Sequence, residues 1–231
     1  MNWNIIIDNY DRILAGTWTT LWMVAVSLLL GLILAFATAM MSSAKNPLVR
    51  WPAELFSYIF RGTPLLIQLY IFYFGFGLLL GGIDGIRDTV WWHVIKPAWP
   101  WAIAAMTLNT AAYTCEILRG ALNNTNYGEI EAAQSYGLSN WQVLRRIMLP
   151  SAFRRSLPAY GNEVIYMLHG SAVLSWVAVT DLTGIAKQLR NDYYDPYTPF
   201  IVAALIYLCI TAIIVLVFKG LEKRYLAHLQ R

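Results

Sequence analysis

Long stretches without any charged side chain constrain this chain more than any other feature of its sequence. Five of them occur, over residues 13–44, 62–83, 97–115, 164–180 and 196–218. A helix needs ~20 mainly apolar residues to cross the hydrocarbon core of a bilayer, with a usable range of roughly 17–25. Each stretch meets that length, the fourth at its lower limit. The sequence therefore predicts an integral membrane protein.

The composition agrees with this interpretation. Apolar residues make up 58% of the 231 residues, charged residues only 13%, and the mean hydropathy is +0.49. Soluble domains carry about 25% charged residues, so a soluble fold would lack the polar surface to enclose this much apolar area. We expect an all-α, polytopic membrane protein with one domain over residues 1–231. Its five transmembrane helices are predicted at about 13–41, 55–82, 98–120, 159–180 and 197–219.

The distribution of Lys and Arg predicts the orientation. Five spans place the loops alternately on two sides. One side holds ten cations: Lys45, Arg50, Arg145, Arg146, Arg154, Arg155, Lys219, Lys223, Arg224 and Arg231. The other side holds five cations among seven aspartates. The positive-inside rule puts the first set in the cytoplasm, so the N-terminus is expected outside and the C-terminus inside. The basic pI follows from this topology, and no nucleic-acid partner is expected.

Several other classes are excluded by the same sequence. Cys115 and Cys209 both lie in apolar segments, so neither a disulfide framework nor a metal cluster is predicted. The spacing of His93, His169 and His228 does not resemble a metal site. The residues before the first apolar stretch hold Asp8, Asp11 and only one cation, Arg12, which is a poor match to the positive leader of a secretory signal peptide.

The long cytoplasmic loop, 123–158, is predicted to form two short helices. Asn126 precedes Glu129 at the spacing of a capping box, and Gly137 suits the end of a first helix because it tolerates positive φ. Ser139 and Gln142 repeat the capping pattern for a second helix, which we expect to end at Pro150. A helix pair joined at a glycine on the cytoplasmic face predicts a docking surface.

This loop resembles the EAA loop of the membrane subunits of ABC importers. In that family the loop forms coupling helices that sit in a cleft of the ATP-hydrolysing subunit. The pattern is filled at every position and spacing. The residues that the resemblance assigns to coupling are Glu129, Glu131, Ala132, Ala133, Gly137, Ile147, Leu149 and Pro150. The alternative is an amphipathic hairpin with no special role.

Further stretches are similar to the polar amino-acid uptake branch, in particular to the HisM-like permeases for histidine, lysine, arginine and ornithine. They are Arg61-Gly62-Thr63-Pro64, the run 109–113, and 157–164. The resemblance covers about residues 10–228. It implies the type I ABC importer fold in a bacterial inner membrane. The implied partners are an ATPase dimer, a second homologous permease, favouring a heterodimer over a homodimer, and a periplasmic substrate-binding protein.

The sequence also indicates where the energy for transport comes from. The chain has no G-x-x-x-x-G-K-[ST] phosphate loop and no Gly-Lys pair at all. It is therefore predicted to be a transport permease and not an enzyme, with no cofactor of its own. ATP and Mg are expected on the partner ATPase.

Charged residues inside the predicted spans are candidates for a functional site, because burying charge in a bilayer is costly. Arg61, Glu116, Arg119 and Glu163 qualify. Glu116 and Arg119 are three residues apart on one helix, so an ordinary ion pair explains them equally well. Arg61 lies near the start of the second span and either snorkels to the interface or lines the path.

Glu163 is the sharpest candidate. Tyr166, Met167, Gly170 and Leu174 follow on the same helical face, and a carboxylate beside a polar cavity attracts a cationic substrate. Some relatives carry an aspartate where this chain has Gly170. That departure favours a partner permease that completes the site. A structural ion pair is the alternative role. Further candidates for the substrate path are Gln68, Asn109 and His169.

The resemblance thus implies an ABC importer permease for polar, basic amino acids that works by alternating access. An ion-coupled secondary amino-acid transporter is the main alternative, but such a carrier is expected to show internal inverted repeats, and none is evident. The same ABC machine carrying glutamine or glutamate is a second alternative. A membrane enzyme would require a nucleophile–base or metal constellation, and none is evident.

Overall fold

The protein is described by a computed structural model covering residues 3–226. Within that range the chain is helical and contains no β-strand. The prediction of an all-α fold is confirmed. His228 and Arg231 lie outside the described residues.

Twelve α-helices follow one another within the described range. They are α1 (Asn4–Asp8), α2 (Tyr10–Ser42), α3 (Pro47–Gly62), α4 (Leu65–Tyr70), α5 (Gly77–Gly81), α6 (Trp92–Ile95), α7 (Ala98–Asn123), α8 (Tyr127–Ser135), α9 (Asn140–Val143), α10 (Leu149–Gly170), α11 (Leu182–Tyr193) and α12 (Thr198–Tyr225). Turns of π-helix at Ile71–Phe76 and Leu144–Met148 follow α4 and α9 directly. Turns of 3-10 helix lie at Ile86–Asp88 and Ser171–Trp176.

Length and apolar character can be compared with what a membrane span requires. In residues 3–226, α2 and α12 are long and apolar enough to cross a bilayer. The pair formed by α3 and Leu65–Gly81 also qualifies when taken together, although it bends by 103°. The predicted third and fourth spans fall on α7 and α10, which do not reach the same apolarity. The number of five spans therefore stays a prediction.

The bend in the predicted second span has a local cause. Thr63 precedes Pro64, and the proline ring disfavours a helical conformation at the residue before it. Thr63 is accordingly extended, with φ −121° and ψ 141°, and α3 ends at Gly62. The stretch 55–82 is therefore two helical segments at an angle and not one straight helix.

The predicted fourth span also differs from a continuous helix. The α-helix ends at Gly170, and the chain continues as a 3-10 turn and then a non-helical turn in which Ala178 has a positive φ of 51°. Lys187 of α11 holds this segment: its Nζ lies 3.9 Å from the ring centre of Trp176 and donates to Ser175 Oγ at 2.8 Å. The second half of the predicted span is thus a 3-10 turn and a non-helical turn, held in place by Lys187.

The core forms where α2, α4, α7 and α10 meet. Met23, Leu69, Met106 and Met167 are buried there in one apolar cluster. The contact of α2 with α7 is close because Gly31 has no side chain. A Cβ there would lie 2.3 Å from the Thr110 methyl carbon. Small residues permit such close helix packing in membranes.

Candidate substrate cavity and coupling surface

A cavity of about 400 Å³ opens beside the bend between α3 and α4. Its wall is formed by Thr63, Pro64, Leu65, Asn109, Tyr113, Glu163, Tyr166, Met167 and Gly170. Four segments thus contribute to it: the bend, the start of α4, the middle of α7 and the second half of α10. Glu163 supplies its carboxylate, and Asn109, Thr63 and the two tyrosines supply neutral polar atoms.

Glu163 is buried, with 5% of its surface exposed. Its Oε1 accepts a hydrogen bond from the Thr110 hydroxyl at 2.8 Å. No ion pair to Glu163 occurs among residues 3–226, so the alternative role of a structural ion pair finds no support in that range. The carboxylate is therefore positioned by a neutral donor and is left without a cation beside the cavity.

The side chains of Gln68 and Asn109 hold the bend. Helix ends leave carbonyl groups without partners, and here the carbonyls of Phe60 and Thr63 need them. Gln68 Nε2 lies 2.8 Å from Phe60 O and 3.0 Å from Thr63 O. Asn109 Nδ2 donates to Gln68 Oε1 at 3.1 Å. Of these two candidates, Asn109 lines the cavity, and Gln68 fixes the backbone that forms its edge.

Arg61 and Arg119 share one carboxylate. The expected pair of Glu116 with Arg119 forms, with Arg119 Nε 3.1 Å from Glu116 Oε2. Arg61 Nη1 lies 3.4 Å from the same oxygen. The three side chains lie next to the cavity of Glu163 and do not line it.

His169 is placed away from the cavity. Its Nε2 lies 3.1 Å from the Thr211 hydroxyl of α12, and its side chain does not line the cavity of Glu163. The structure therefore brings Glu163 and Asn109 together at one cavity, supports its edge with Gln68, and leaves His169 outside.

The predicted hairpin in the cytoplasmic loop forms, with α8 as its first helix. Asn126 caps it by accepting from Gly128 N at 2.9 Å, so the helix begins at Tyr127. Gly137 has φ +81°, and hydrogen bonds from Gly137 N to Gln134 O and from Leu138 N to Ala133 O complete a Schellman ending. The predicted glycine stop is confirmed.

The second helix of the hairpin differs from expectation at its end. The capping box of Ser139 and Gln142 forms as predicted. Pro150 does not end the helix, because it occupies the first turn of α10, where a missing N–H is tolerated. The helical path runs from Asn140 to Gly170 through the π-turn. The hairpin is thus joined directly to the helix that carries Glu163.

The residues of the EAA pattern divide into two groups. Ala133 is buried and holds α8 against the following segment, while Ile147, Leu149 and Pro150 are half-buried at the junction with α10. The remaining side chains of the pattern face outward, and they are those of Glu129, Glu131 and Ala132. The pattern therefore supplies both the internal packing and the exposed surface of the hairpin.

Three exposed aromatic residues on this hairpin were missed by the sequence analysis. Tyr127, Tyr136 and Trp141 are 76%, 88% and 63% exposed. Aromatic residues that protrude from a rigid element are typical anchors of protein interfaces. The sequence does show three aromatic residues in a segment that is too polar to lie in a bilayer. Only the structure shows that their side chains are exposed on one hairpin.

Comparisons with known proteins agree with this architecture. Residues 27–227 match the family described as binding-protein-dependent transport system inner membrane component. The histidine/lysine/arginine/ornithine transport system permease protein HisM of Salmonella typhimurium is 41% identical over 215 residues, which is 92% of this chain and 89% of HisM. The nopaline transport system permease protein NocM of Agrobacterium fabrum is 39% identical, over 93% of this chain and 88% of NocM.

Solved structures show the same fold. A crystal structure of an amino acid ABC transporter with histidines matches with a TM-score of 0.85 and 28% identity, covering 97% of this chain and 99% of that one. An inward-facing structure of the MetNI methionine ABC transporter matches with a TM-score of 0.78 at 19% identity, covering 94% of this chain and 98% of that one, and supports the fold alone.

The helical architecture and these matches together define the class of ABC importer permeases with the type I fold. The chain belongs to the family of binding-protein-dependent transport system inner membrane components, in its HisM-like branch. Members of this class are transport subunits of the inner membrane and not enzymes.

Proposed function

We propose that this permease translocates polar, basic amino acids such as arginine, lysine, histidine and ornithine by alternating access. The observation that carries the proposal is the buried carboxylate of Glu163, which faces a cavity of about 400 Å³ without a cationic partner among the described residues. A cationic side chain supplies that partner by a charge-assisted hydrogen bond. The names of HisM and NocM support the same substrate class.

The proposed partners follow from the two surfaces. The hairpin with Tyr136 and Trp141 exposed is the proposed docking site for an ATPase dimer, which holds ATP and Mg. A periplasmic binding protein is proposed to dock on the outer loops, residues 84–96 and 181–195. The cavity lacks an acid at Gly170, and this favours a second, different permease as the partner that completes it.

The experiment is uptake of radiolabelled arginine, histidine and glutamine into proteoliposomes that hold this chain with its partner permease, ATPase and binding protein. We expect arginine or histidine uptake only with ATP. Glu163→Gln should lower arginine uptake at subsaturating substrate by about tenfold or more, since a hydrogen bond to a charged group contributes about 1.5–3 kcal/mol.

The matched control is Glu222→Gln, which removes a carboxylate near the end of α12, away from the cavity. It should transport as the wild type does. Uptake of glutamine alone would contradict the proposed substrate class. Uptake driven by an ion gradient without ATP would contradict the proposed mechanism.

A further inference from the structure

A second cavity, of about 410 Å³, lies between α3 and the C-terminal half of α7. Its wall includes Glu54, Ser57, Arg61, Glu116 and Arg119. Its volume falls within the range of about 300–1,000 Å³ that small-molecule sites occupy. The transport mechanism proposed above does not use this cavity.

The charges on its wall are balanced but only partly paired. Arg61 and Arg119 both contact a single oxygen, Glu116 Oε2. Each guanidinium carries five N–H donors, so most of these donors are not used by that one oxygen. Glu54 contributes a second carboxylate, 3.6 Å from Arg50 Nε. Two cations and two carboxylates on one wall match a ligand that carries both signs of charge.

Ser57 is a second and independent observation. The residue is 2% exposed, it lies on the wall of this cavity, and its Oγ has no hydrogen-bond partner. Native structures rarely leave a buried hydroxyl unpaired, and of the five such hydroxyls among residues 3–226, Ser57 is the one on the wall of this cavity. A polar ligand atom in the cavity would supply the missing partner.

The two cavities are neighbours along α7. Asn109 and Tyr113 line the first, and Glu116 and Arg119 line the second. At 1.5 Å per residue, the positions from Asn109 to Arg119 span about 15 Å towards the predicted cytoplasmic side. Tyr113 joins them, because its ring lies 5.9 Å from the Arg61 guanidinium and its hydroxyl donates to Arg61 O at 3.4 Å.

We propose that the second cavity is a binding site for the α-ammonium and α-carboxylate groups of an amino acid, reached after the cavity of Glu163 on the way to the cytoplasm. Arg61 and Arg119 bind the carboxylate, Ser57 hydrogen-bonds to it, and Glu54 binds the ammonium group. This inference rests on the proposed function, because it takes the transported amino acid as the ligand. The first cavity binds the side chain of the amino acid, and the second binds the α-ammonium and α-carboxylate groups that all amino acids share.

The test is equilibrium binding of radiolabelled arginine to the complete transporter in phosphatidylcholine nanodiscs, without nucleotide and without binding protein. Gly62 lines the second cavity, and a Cβ there would meet no atom within 4 Å, so Gly62→Leu fills the space without a clash at that atom. We expect Gly62→Leu and Ser57→Val each to bind one arginine fewer per copy of this chain than the wild type. The matched control is Gly220→Leu, because Gly220 is equally open and lies on α12 away from both cavities.

Competition then identifies the recognised group. In the Glu163→Gln variant, unlabelled alanine should displace the remaining arginine, since alanine carries only the shared ammonium and carboxylate groups. Agmatine, which is arginine without its carboxylate, should not displace it. Displacement by agmatine and not by alanine would overturn the proposal.

Two other results would also overturn it. One is wild-type stoichiometry in both Gly62→Leu and Ser57→Val. The other is loss of the Gly62-dependent site when phosphatidylethanolamine replaces phosphatidylcholine. Both headgroups are zwitterionic, but only ethanolamine carries an ammonium group with N–H donors, so that headgroup would then be the occupant. ATP-driven arginine uptake by the wild type in proteoliposomes is measured separately. If the wild type shows no ATP-driven uptake, the proposed function is contradicted. If the wild type transports arginine but the binding measurements show no second site, only this inference is contradicted.

Discussion

At the scale of single residues, the position of Glu163 depends on Thr110. The two side chains come from different helices, α10 and α7, and their hydrogen bond is the contact that orients the carboxylate. Thr110→Val keeps the methyl group that packs near Gly31 and removes only the hydroxyl. We expect KM for arginine uptake to rise by about three- to tenfold at unchanged assembly, measured in proteoliposomes. A variant whose KM stays at the wild-type value would show that the hydroxyl does not position Glu163.

Gln68 gives a prediction about stability at the same scale. Gln68→Ala removes the side-chain donor to Thr63 O and the nearer of the two donors to Phe60 O, which keeps Asn109 Nδ2 at 3.3 Å. A part-buried carbonyl left without its donor costs up to about 1–3 kcal/mol, so the variant should unfold at a lower temperature in detergent. Gln134→Ala is the control, since Gln134 is exposed on α8 and its side chain contacts only Asn140 at 3.4 Å. Equal melting temperatures for both variants would contradict the role assigned to Gln68.

The candidate residues were recognisable from the sequence because charge and amides are rare inside apolar stretches. Their partners were not. Asn109 and Gln68 are 41 residues apart, and Thr110 and Glu163 are 53 apart, so no local pattern connects them. The pairing of Glu116 with Arg119 was predictable, because it depends only on helical spacing. The second ion pair of Glu116, with Arg61, could not be predicted from spacing because the two residues lie on different helices that only the fold brings together.

At the scale of elements, the bend and the hairpin also separate features that local sequence predicts from features that only the fold determines. The capping box at Ser139 and the glycine ending of α8 are local, and both predictions are confirmed. The end predicted at Pro150 is wrong, since a proline in the first turn of a helix looks the same in sequence as one that follows a helix. Pro64 favours an end of the helix at the residue before it, Thr63. The absence of charged residues over 62–83 nevertheless led to the prediction of one continuous span.

The exposed aromatic residues of the hairpin give a prediction about assembly. Trp141→Ala and Tyr136→Ala should each weaken binding of the ATPase by at least tenfold, because a truncated aromatic anchor typically costs about 2 kcal/mol or more. Tyr194→Ala is the matched control, as Tyr194 is 91% exposed and lies on the opposite side in the predicted topology. Affinity is measured by titrating purified ATPase onto the permease in nanodiscs. Loss of affinity in the control alone would contradict the assignment of the hairpin.

At the scale of the whole molecule, the number of spans and their orientation are open to a direct test. Tyr136→Cys and Tyr194→Cys place a thiol on opposite predicted sides at highly exposed positions. We expect a membrane-impermeant maleimide to label Tyr194→Cys from outside intact cells and to label Tyr136→Cys only after lysis. The wild type is the background control, because Cys115 is buried and Cys209 lies within the apolar helix α12. Labelling with the reverse pattern would invert the predicted topology.

The uninterrupted helical path from Asn140 to Gly170 has a consequence for how this chain can vary. Along a helix, each added residue turns everything beyond it by about 100° and advances it by 1.5 Å. One residue inserted between Met148 and Glu163 would therefore swing the carboxylate away from the cavity while leaving the hairpin intact. We expect length changes to be tolerated in segment 83–91 and rejected here, because the number of residues in this stretch sets the direction of the Glu163 carboxylate relative to the hairpin.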